Sequence, residues 1–334
     1  MQNTAAFVMP VRLTKDEKDL LFFADAIASI QNQTDKDWVL VLVDDYSESK
    51  AVYDFIEKIK SELKDKLHFI PTDRNYGTGV ARNKGVEYAS KIGAPFILFN
   101  DSDDISDPRR LELVRKAFED ETVNVVYTGF DVIDEKNVLV PVSKINKTVL
   151  EIIDGHKEDV VEGENAWISI AMKKKYTNLT SCTAVRTSLA VAEPFPNASV
   201  SEDCHTWFRY AAYPGKFVFL RDIKGKYRIA SGTASRSRSR NADFYGMMVK
   251  NDSDGFEKAV TIAKKYNTLV GYDEDEIRLA FYVRLALCIY NGGSVNHCIE
   301  ALSKAKAISE EKTLYYIERL PCDASTKEAI RKLA

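Results

Sequence analysis

The stretch FILFNDSDD, residues 96–104, runs from an apolar segment into three aspartates within four positions, Asp101, Asp103 and Asp104. Carboxylates this close repel: a pair ~4 Å apart costs roughly 1 kcal/mol in water and about 4 kcal/mol at the effective dielectric of a protein surface. A divalent cation would offset that repulsion, and Mg2+ or Mn2+ is commonly held by one or two carboxylates together with phosphate oxygens. The competing reading is a solvated turn that simply ends a strand. A second acidic pair, Asp44 and Asp45, closes another apolar run, WVLVLVDD (38–45).

The elements that must position these residues alternate in type. AAFVM (5–9) reads as a short strand stopped by Pro10, and residues 16–33 carry Leu20, Phe23, Ile27 and Ile30 at helical spacing. WVLVLVDD is the continuous β-branched run expected of a strand buried on both faces of a parallel sheet. A helix over 52–63, a strand over 67–71, a helix over 79–93 ending at Gly93 and a strand over 95–101 follow. This pattern predicts an α/β, doubly wound sheet with right-handed crossovers. Ligands in such sheets collect outside the carboxyl ends of the strands. Asp44 and Asp45 end one strand there and Asp101 and Asp103 another, which weakens the turn reading, because a chance turn has no reason to recur at the same end of two strands.

Past residue 105 the pattern loosens. NVVYTGFDVI (124–133) reads as a strand, VLVPVSKI (138–145) as an outlying edge strand around Pro141, and KFVFLRDIKGKYRIA (216–230) as two strands about a turn at Gly225. From 242 to 334 the signal is helical, with amphipathic segments at 254–267, 274–290, 295–308 and 311–319. The expected domains are 1–235, divided into two halves at about 1–110 and about 111–235, and a helical region, 236–334.

The 334 residues are 45% hydrophobic and 29% charged with a net charge of -3, an ordinary globular balance that gives no global case for nucleic acid as a partner. No charged n-region precedes an apolar h-region and no apolar run approaches the ~20 residues of a membrane span. Five cysteines without CxxC spacing argue against a disulfide framework or a zinc site. The expected localisation is cytoplasmic, including peripheral attachment at the inner face of the membrane.

VLVDDYS, NYGTGVARNKGVEYA (75–89), FILFNDSDDISDPRRLE and SEDCHTWFR (201–209) together resemble the ordered motifs of family 2 glycosyltransferases, over roughly residues 4–230. The resemblance implies an inverting, metal-dependent enzyme of the GT-A fold, moving a sugar from a nucleotide-diphosphate donor, UDP first among them, to a hydroxyl of a saccharide, lipid-linked or protein acceptor. It implies that Asp45 reads the base, flanked by Pro10, Val11 and Arg12; the competing role for Asp44 and Asp45 is capping the next helix. Gly77 and Gly79 permit close approach ahead of a helix N-terminus, with Arg82 beside the nucleotide and Asn83 holding the loop. Asp103 becomes the direct ligand of Mn2+ or Mg2+, Asp101 a ligand nearer the ribose, Ser102 part of the same donor loop, and Asp104 a cap for the helix after Pro108.

In SEDCHTWFR the resemblance makes Asp203 the base that takes the acceptor proton, worth roughly 10²- to 10⁴-fold in rate, with Glu202 orienting the acceptor. Stabilisation of a helix N-terminus is compatible with that role. His205 is the competing base, and Trp207 is read as core ahead of sugar-stacking. Two departures stand out: Arg12 occupies a position where a small or amide residue is common, and YRIASGTASRSRSRN carries no histidine where relatives often do. Arg236, Arg238 and Arg240 either close over the diphosphate or form a solvated hinge. The acceptor pocket is expected around Trp167 and Thr180, and the C-terminal helices are a candidate dimerisation element. The alternatives are a silent sugar-nucleotide scaffold or sensor, which needs a broken site, and a sugar-phosphate nucleotidyltransferase, which needs the glycine-rich loop that MPVRLT lacks.

Overall fold

Apolar runs long enough to be covered on both sides form the centre of the sheet. The computed structural model describes residues 4–13, 17–173, 177–229, 241–269 and 271–334. Strands β1 (Ala5–Val11), β2 (Trp38–Asp44), β3 (Leu67–Pro71) and β4 (Phe96–Phe99) run parallel in the order β3-β2-β1-β4. Helices α1 (Glu17–Gln31), α2 (Lys50–Leu63) and α3 (Thr78–Lys91) make the crossovers. Alternation divides each central strand between two cores: Ala6, Val8, Val41 and Val43 face one, while Phe7, Met9, Leu40 and Leu42 face the other. The strand expected to stop at Pro10 continues through it. Pro10 pairs with Val43 of β2, and β4 has already ended at Phe99, so no ladder partner calls for the missing N–H.

On the far side of β4 the direction changes. β7 (Thr183–Arg186) is antiparallel to both β4 and β5 (Val123–Ile133), β8 (Lys216–Arg228) is parallel to β5, and the two-residue β6 (Gly163–Glu164) closes the edge. Helices α4 (Arg110–Ala117), α5 (Lys147–Glu158), α6 (Ala166–Met172), α7 (Thr187–Ala192) and α8 (Glu202–Ala212) complete this half. Among the described residues the result is a mixed sheet of eight strands flanked by helices, within the expected α/β class.

Two local expectations fail. Residues 138–145 are not a strand: one bridge joins Leu139 to Ile133, and a 3-10 turn, Val142–Lys144, follows Pro141, whose fixed backbone leaves no ladder to extend. Nor does the chain turn at Gly225; Lys216–Arg228 is one long strand whose register against β5 slips between Leu220 and Lys224. Gly225 is needed because a Cβ there would lie 2.9 Å from Cys182 Sγ.

The C-terminal helices are α9 (Phe244–Lys265), α10 (Glu274–Asn291), α11 (Val295–Lys306), α12 (Glu310–Glu318) and α13 (Ala324–Leu333). They pack on α8: Phe208 meets Phe256 edge-on at 5.9 Å and Phe281 at 5.5 Å, and Phe256 and Phe281 stack at 4.0 Å. Among the described residues no helix is long and apolar enough to cross a membrane.

Helix α3 is held against the sheet by a glycine. A Cβ at Gly85 would collide with the Val8 side chain of β1. Gly85→Ala therefore overpacks this contact and is expected to destabilise the fold by about 1–3 kcal/mol, read as a lower denaturation midpoint; an unchanged midpoint would mean α3 can retreat freely.

Candidate active site

The turn after β2 is held by its own acids. Asp44 Oδ1 accepts from Ser47 N–H at 3.0 Å and Oδ2 from the Tyr53 hydroxyl at 2.9 Å. Burial and Asp44 push the Tyr53 phenol up to about 12. Asp45 is buried, and its two oxygens accept from Tyr76 N–H at 2.7 Å and Gly77 N–H at 2.8 Å, drawing the 75–77 loop over the end of β2. Asp45 N–H donates to Val11 O at 2.8 Å, which ties β1 to the same edge. Pro10 and Val11 are buried, and Arg12 is exposed with Glu48 at 4.0 Å. Neither acid side chain caps α2, whose N-cap is Ser49.

Close approach governs the start of α3. Gly77 adopts φ +91, and a Cβ on Gly79 would lie 2.7 Å from Pro196 O. Asn83 fastens the same segment from both sides, donating to Phe195 O at 2.8 Å and accepting from Phe195 N–H at 2.8 Å. These contacts bring the 195–202 segment against α3, and between them lies Arg82.

Arg82, with its side chain only 4% exposed, donates to Asp101 Oδ1 at 2.8 Å and to Glu202 Oε1 at 3.1 Å. Its guanidinium lies 5.4 Å from the Phe195 ring centroid. Burial alone would lower its pKa, but Asp101, Glu202 and Asp203 outweigh burial and raise it. One cation thus joins the acidic loop after β4 to the acidic start of α8, residues that are about a hundred positions apart in the chain.

The loop after β4 is braced from behind. Asn100 Nδ2 donates to Asp101 O at 2.9 Å and Asp104 O at 3.2 Å, and buried Arg110 donates to Phe99 O at 3.0 Å. Asp101 N–H donates to Ser181 Oγ at 2.9 Å, and Arg228 Nε donates to Asp103 O at 2.8 Å. Asp101, Ser102 and Asp103 retain partial exposure. Asp104 does not cap α4, which starts only at Arg110; it is buried and accepts from Arg228 N–H at 2.9 Å. Burial, then repulsion from Asp103 and Asp101, pushes the Asp104 carboxyl well above the usual carboxylate range. Tyr227 lies in the field of the same acids: burial, followed by Asp104, Asp103, Asp101 and Asp203, raises its phenol.

At the start of α8, Ser201 takes a left-handed φ of 59 and provides no side-chain cap, leaving Glu202 and Asp203 in the first turn. Asp203 Oδ1 accepts from Cys204 N–H at 2.7 Å. Burial, then the neighbouring Glu202, pushes the Asp203 carboxyl up to about 7.

Other expected contributors lie elsewhere. His205 is buried, 2.7 Å from Asp254 of α9, and burial lowers its pKa, so it faces the helical region. Trp207 is core, and Trp167, fully enclosed against Phe256, together with buried Thr180, offers no surface to an acceptor. Arg236, Arg238 and Arg240 lie outside the described residues. Asn100, Arg110, Ser181, Tyr227 and Arg228 were missed: Asn100 and Arg110 carry no motif of their own beside the acids, and Ser181, Tyr227 and Arg228 reach this loop only through the pairing of β4 with β7, β7 with β5 and β5 with β8.

The donor set suits a hard divalent ion. Asp101 and Asp103 are partly exposed oxygen donors beside Asp104, whose carboxyl is raised first by burial and then by repulsion from these two acids. Among the described residues no three His, Cys, Asp or Glu side chains converge as an all-protein metal cage, so an ion here needs ligand oxygens as well.

The chain is 26% identical over 226 residues to the uncharacterized glycosyltransferase MJ1057 of Methanocaldococcus jannaschii, spanning 67% of this chain and 71% of that protein. In fold it is similar to S. aureus TarS 1–349 in complex with UDP-GlcNAc, with a TM-score of 0.64, 18% identity, and coverage of 99% of this chain and 88% of that one. It is also similar to the mannosyltransferase PcManGT from Pyrobaculum calidifontis in complex with GDP-Man and Mn2+, with a TM-score of 0.51, 12% identity, and coverage of 100% and 85%. The model for glycosyl transferase family 2 matches residues 14–181, the half that holds Asp45, Arg82, Asp101 and Asp103. The chain belongs to glycosyl transferase family 2.

Proposed function

We propose that the protein is an inverting glycosyltransferase that moves a sugar from a nucleotide-diphosphate donor, UDP-linked first among candidates, to a hydroxyl of a polysaccharide, glycolipid or glycoprotein. The observation that carries this reading is the Arg82 bridge between Asp101 and Glu202, beside a carboxyl raised to about 7. It sets a donor-side acid and a candidate base across one buried cation. The nucleotide-sugar complexes of TarS and PcManGT support the donor class.

In this reading residues 1–110 bind the donor, 111–235 the acceptor, and 236–334 complete the core behind α8. Pro10, Val11 and Arg12 flank the nucleobase at the end of β1. Asp45 shapes the base site through the 75–77 loop and presents its remaining lone pairs to the base. Asp103 and Asp101 hold Mn2+ or Mg2+, with Ser102 in the same donor loop; Mn2+ in the PcManGT complex supports that choice of ion. When bound, the ion neutralises charge on the departing diphosphate. Arg82 keeps Asp101 oriented and stays protonated throughout. Asp203 takes the acceptor proton as the hydroxyl oxygen bonds to the anomeric carbon and the bond to the diphosphate breaks, releasing the nucleoside diphosphate. Glu202, held by Arg82, orients the acceptor. Arg238 is assigned to the diphosphate.

The test is slow hydrolysis of UDP-, GDP- and dTDP-sugars by purified protein, with and without Mn2+. Release from one donor that requires the metal is expected, and Asp103→Ala is expected to abolish both that release and the metal-dependent stabilisation by the matching nucleotide. Nucleotide binding undiminished in Asp103→Ala would remove the metal assignment. Binding without turnover in any acceptor screen would favour the scaffold.

A further inference from the structure

The turn after β5 presents apolar side chains to water on a rigid support. Asp134 N–H donates to Val138 O at 2.9 Å, while Asp134 Oδ1 accepts from Lys136 N–H at 2.8 Å and Val138 N–H at 2.9 Å. Asn137 occupies the left-handed position with φ 63, and Val140 N–H returns to Val132 O at 2.9 Å. Val140 and Ile145 point inward onto a small core with Phe130, Val132 and Ile152. The outward side chains are Val138, Leu139 and Val142, which are 58%, 62% and 69% exposed. A turn whose own polar groups are satisfied has no internal need to hold three apolar side chains in water.

The neighbouring helix extends the patch. Lys18 of α1 pairs with Glu135 at 3.3 Å, and Asp25 of α1 accepts from Asn137 Nδ2 at 3.1 Å. Leu21, three positions from Lys18 and four from Asp25, lies on that same helical face and is 66% exposed.

Charge selects the occupant. Residues 136–147, KNVLVPVSKINK, contain Lys136, Lys144 and Lys147 and no acid, in a chain whose net charge is -3. All three lysines are exposed. The acids nearest the tip are already engaged, Asp134 by Lys136 N–H and Val138 N–H, Glu135 by Lys18 and Asp25 by Arg228, so the three exposed lysines beside the apolar side chains complement an anionic lipid surface, where the tip enters the headgroup–acyl boundary and each lysine gains from the negative surface potential.

The patch is also wired to the donor loop. Buried Arg228 donates through Nη1 to Asn137 Oδ1 at 2.7 Å and Asp134 O at 3.0 Å, and through Nε to Asp103 O at 2.8 Å. One guanidinium therefore spans from the base of the apolar turn to the backbone of the acidic loop.

We infer that Leu21, Val138, Leu139 and Val142, with Lys136, Lys144 and Lys147, form a membrane-docking face for anionic lipid, which brings the site beside Asp103 to the bilayer surface. The face stands independently of the sugar-transfer reading, although it fits a lipid-linked acceptor.

The test is co-sedimentation of the full chain with vesicles of phosphatidylcholine alone and of equimolar phosphatidylcholine and phosphatidylglycerol. Binding to the anionic vesicles that weakens with salt is expected. The triple variant Val138→Ser, Leu139→Ser, Val142→Ser should lose at least ~10-fold in partitioning, and Lys136→Gln, Lys144→Gln, Lys147→Gln should lose a similar factor together with the salt dependence. Wild-type protein that ignores anionic vesicles, or a serine variant that binds them as well, overturns the proposal. Self-association without vesicle binding, abolished in the serine variant, assigns the face to a second copy and equally overturns it. Donor hydrolysis without vesicles, expected to be unchanged in both variants, separates failure of this face from failure of the sugar-transfer assignment.

Discussion

Asp203→Asn is expected to lower sugar transfer by at least ~10²-fold while donor binding stays at the wild-type level. The amide keeps the shape of the side chain and its place at the start of α8 but cannot take a proton. Donor contacts assigned to Asp45, Asp101 and Asp103 are left intact. The environment adds a pH signature. Burial and Glu202 together raise Asp203 to about 7, so the active carboxylate form is lost as pH falls through that value. Transfer should therefore rise with pH and level off above about 7. Glu202→Gln removes the adjacent negative charge, and the acidic limb should move to lower pH even as acceptor affinity weakens. Transfer by Asp203→Asn at the wild-type rate, or a limb unmoved in Glu202→Gln, would remove Asp203 from the mechanism.

Arg82→Met is expected to destabilise the protein by about 3–5 kcal/mol, because deleting one partner of a buried ion pair leaves the other charges uncompensated. Here two acids are stranded, Asp101 and Glu202, with Asp203 close behind. Arg82→Lys should rescue little, since a single ammonium cannot donate to both carboxylates with the guanidinium's geometry. Denaturation at pH 7 and at a pH near 5 provides the check. Protonation relieves the stranded acids, so the deficit of Arg82→Met should shrink at the lower pH. Equal midpoints for variant and wild type at both pH values would show that the bridge contributes nothing to the fold.

Much of the first half of the sheet, β1 to β4, was legible because its signals are local. Each parallel strand buried on both faces is a continuous apolar run, so β1, β2 and β4 declared themselves along with the acids that end β2 and follow β4. The positions of Gly77, Gly79 and Arg82 could be read from one short motif. The other half resisted because its strands are selected by partners remote in sequence. β7 is four residues long and β6 two, too short for a periodic signal, and the slip in β8 looked like a turn because Gly225 answers to Cys182, not to its neighbours. The tryptophan expected at an acceptor pocket was misplaced for a related reason: Trp167 reads the same from sequence whether it lines a cleft or fills a core, and only Phe256 across the helical region decides between them.

By itself the sequence determined the α/β class, the family resemblance and the acids at the strand ends, since these depend on residue type, short spacing and the two-fold or 3.6-fold repeat of side chains. Tertiary structure alone decided that Arg82 holds Asp101 and Glu202 together, that Asp104 is a buried tether of Arg228, and that Arg228 joins the Asp103 loop to an exposed apolar turn. Ion pairing and desolvation act through space over a few ångströms, and no local pattern in the chain records which distant charges folding will bring that close.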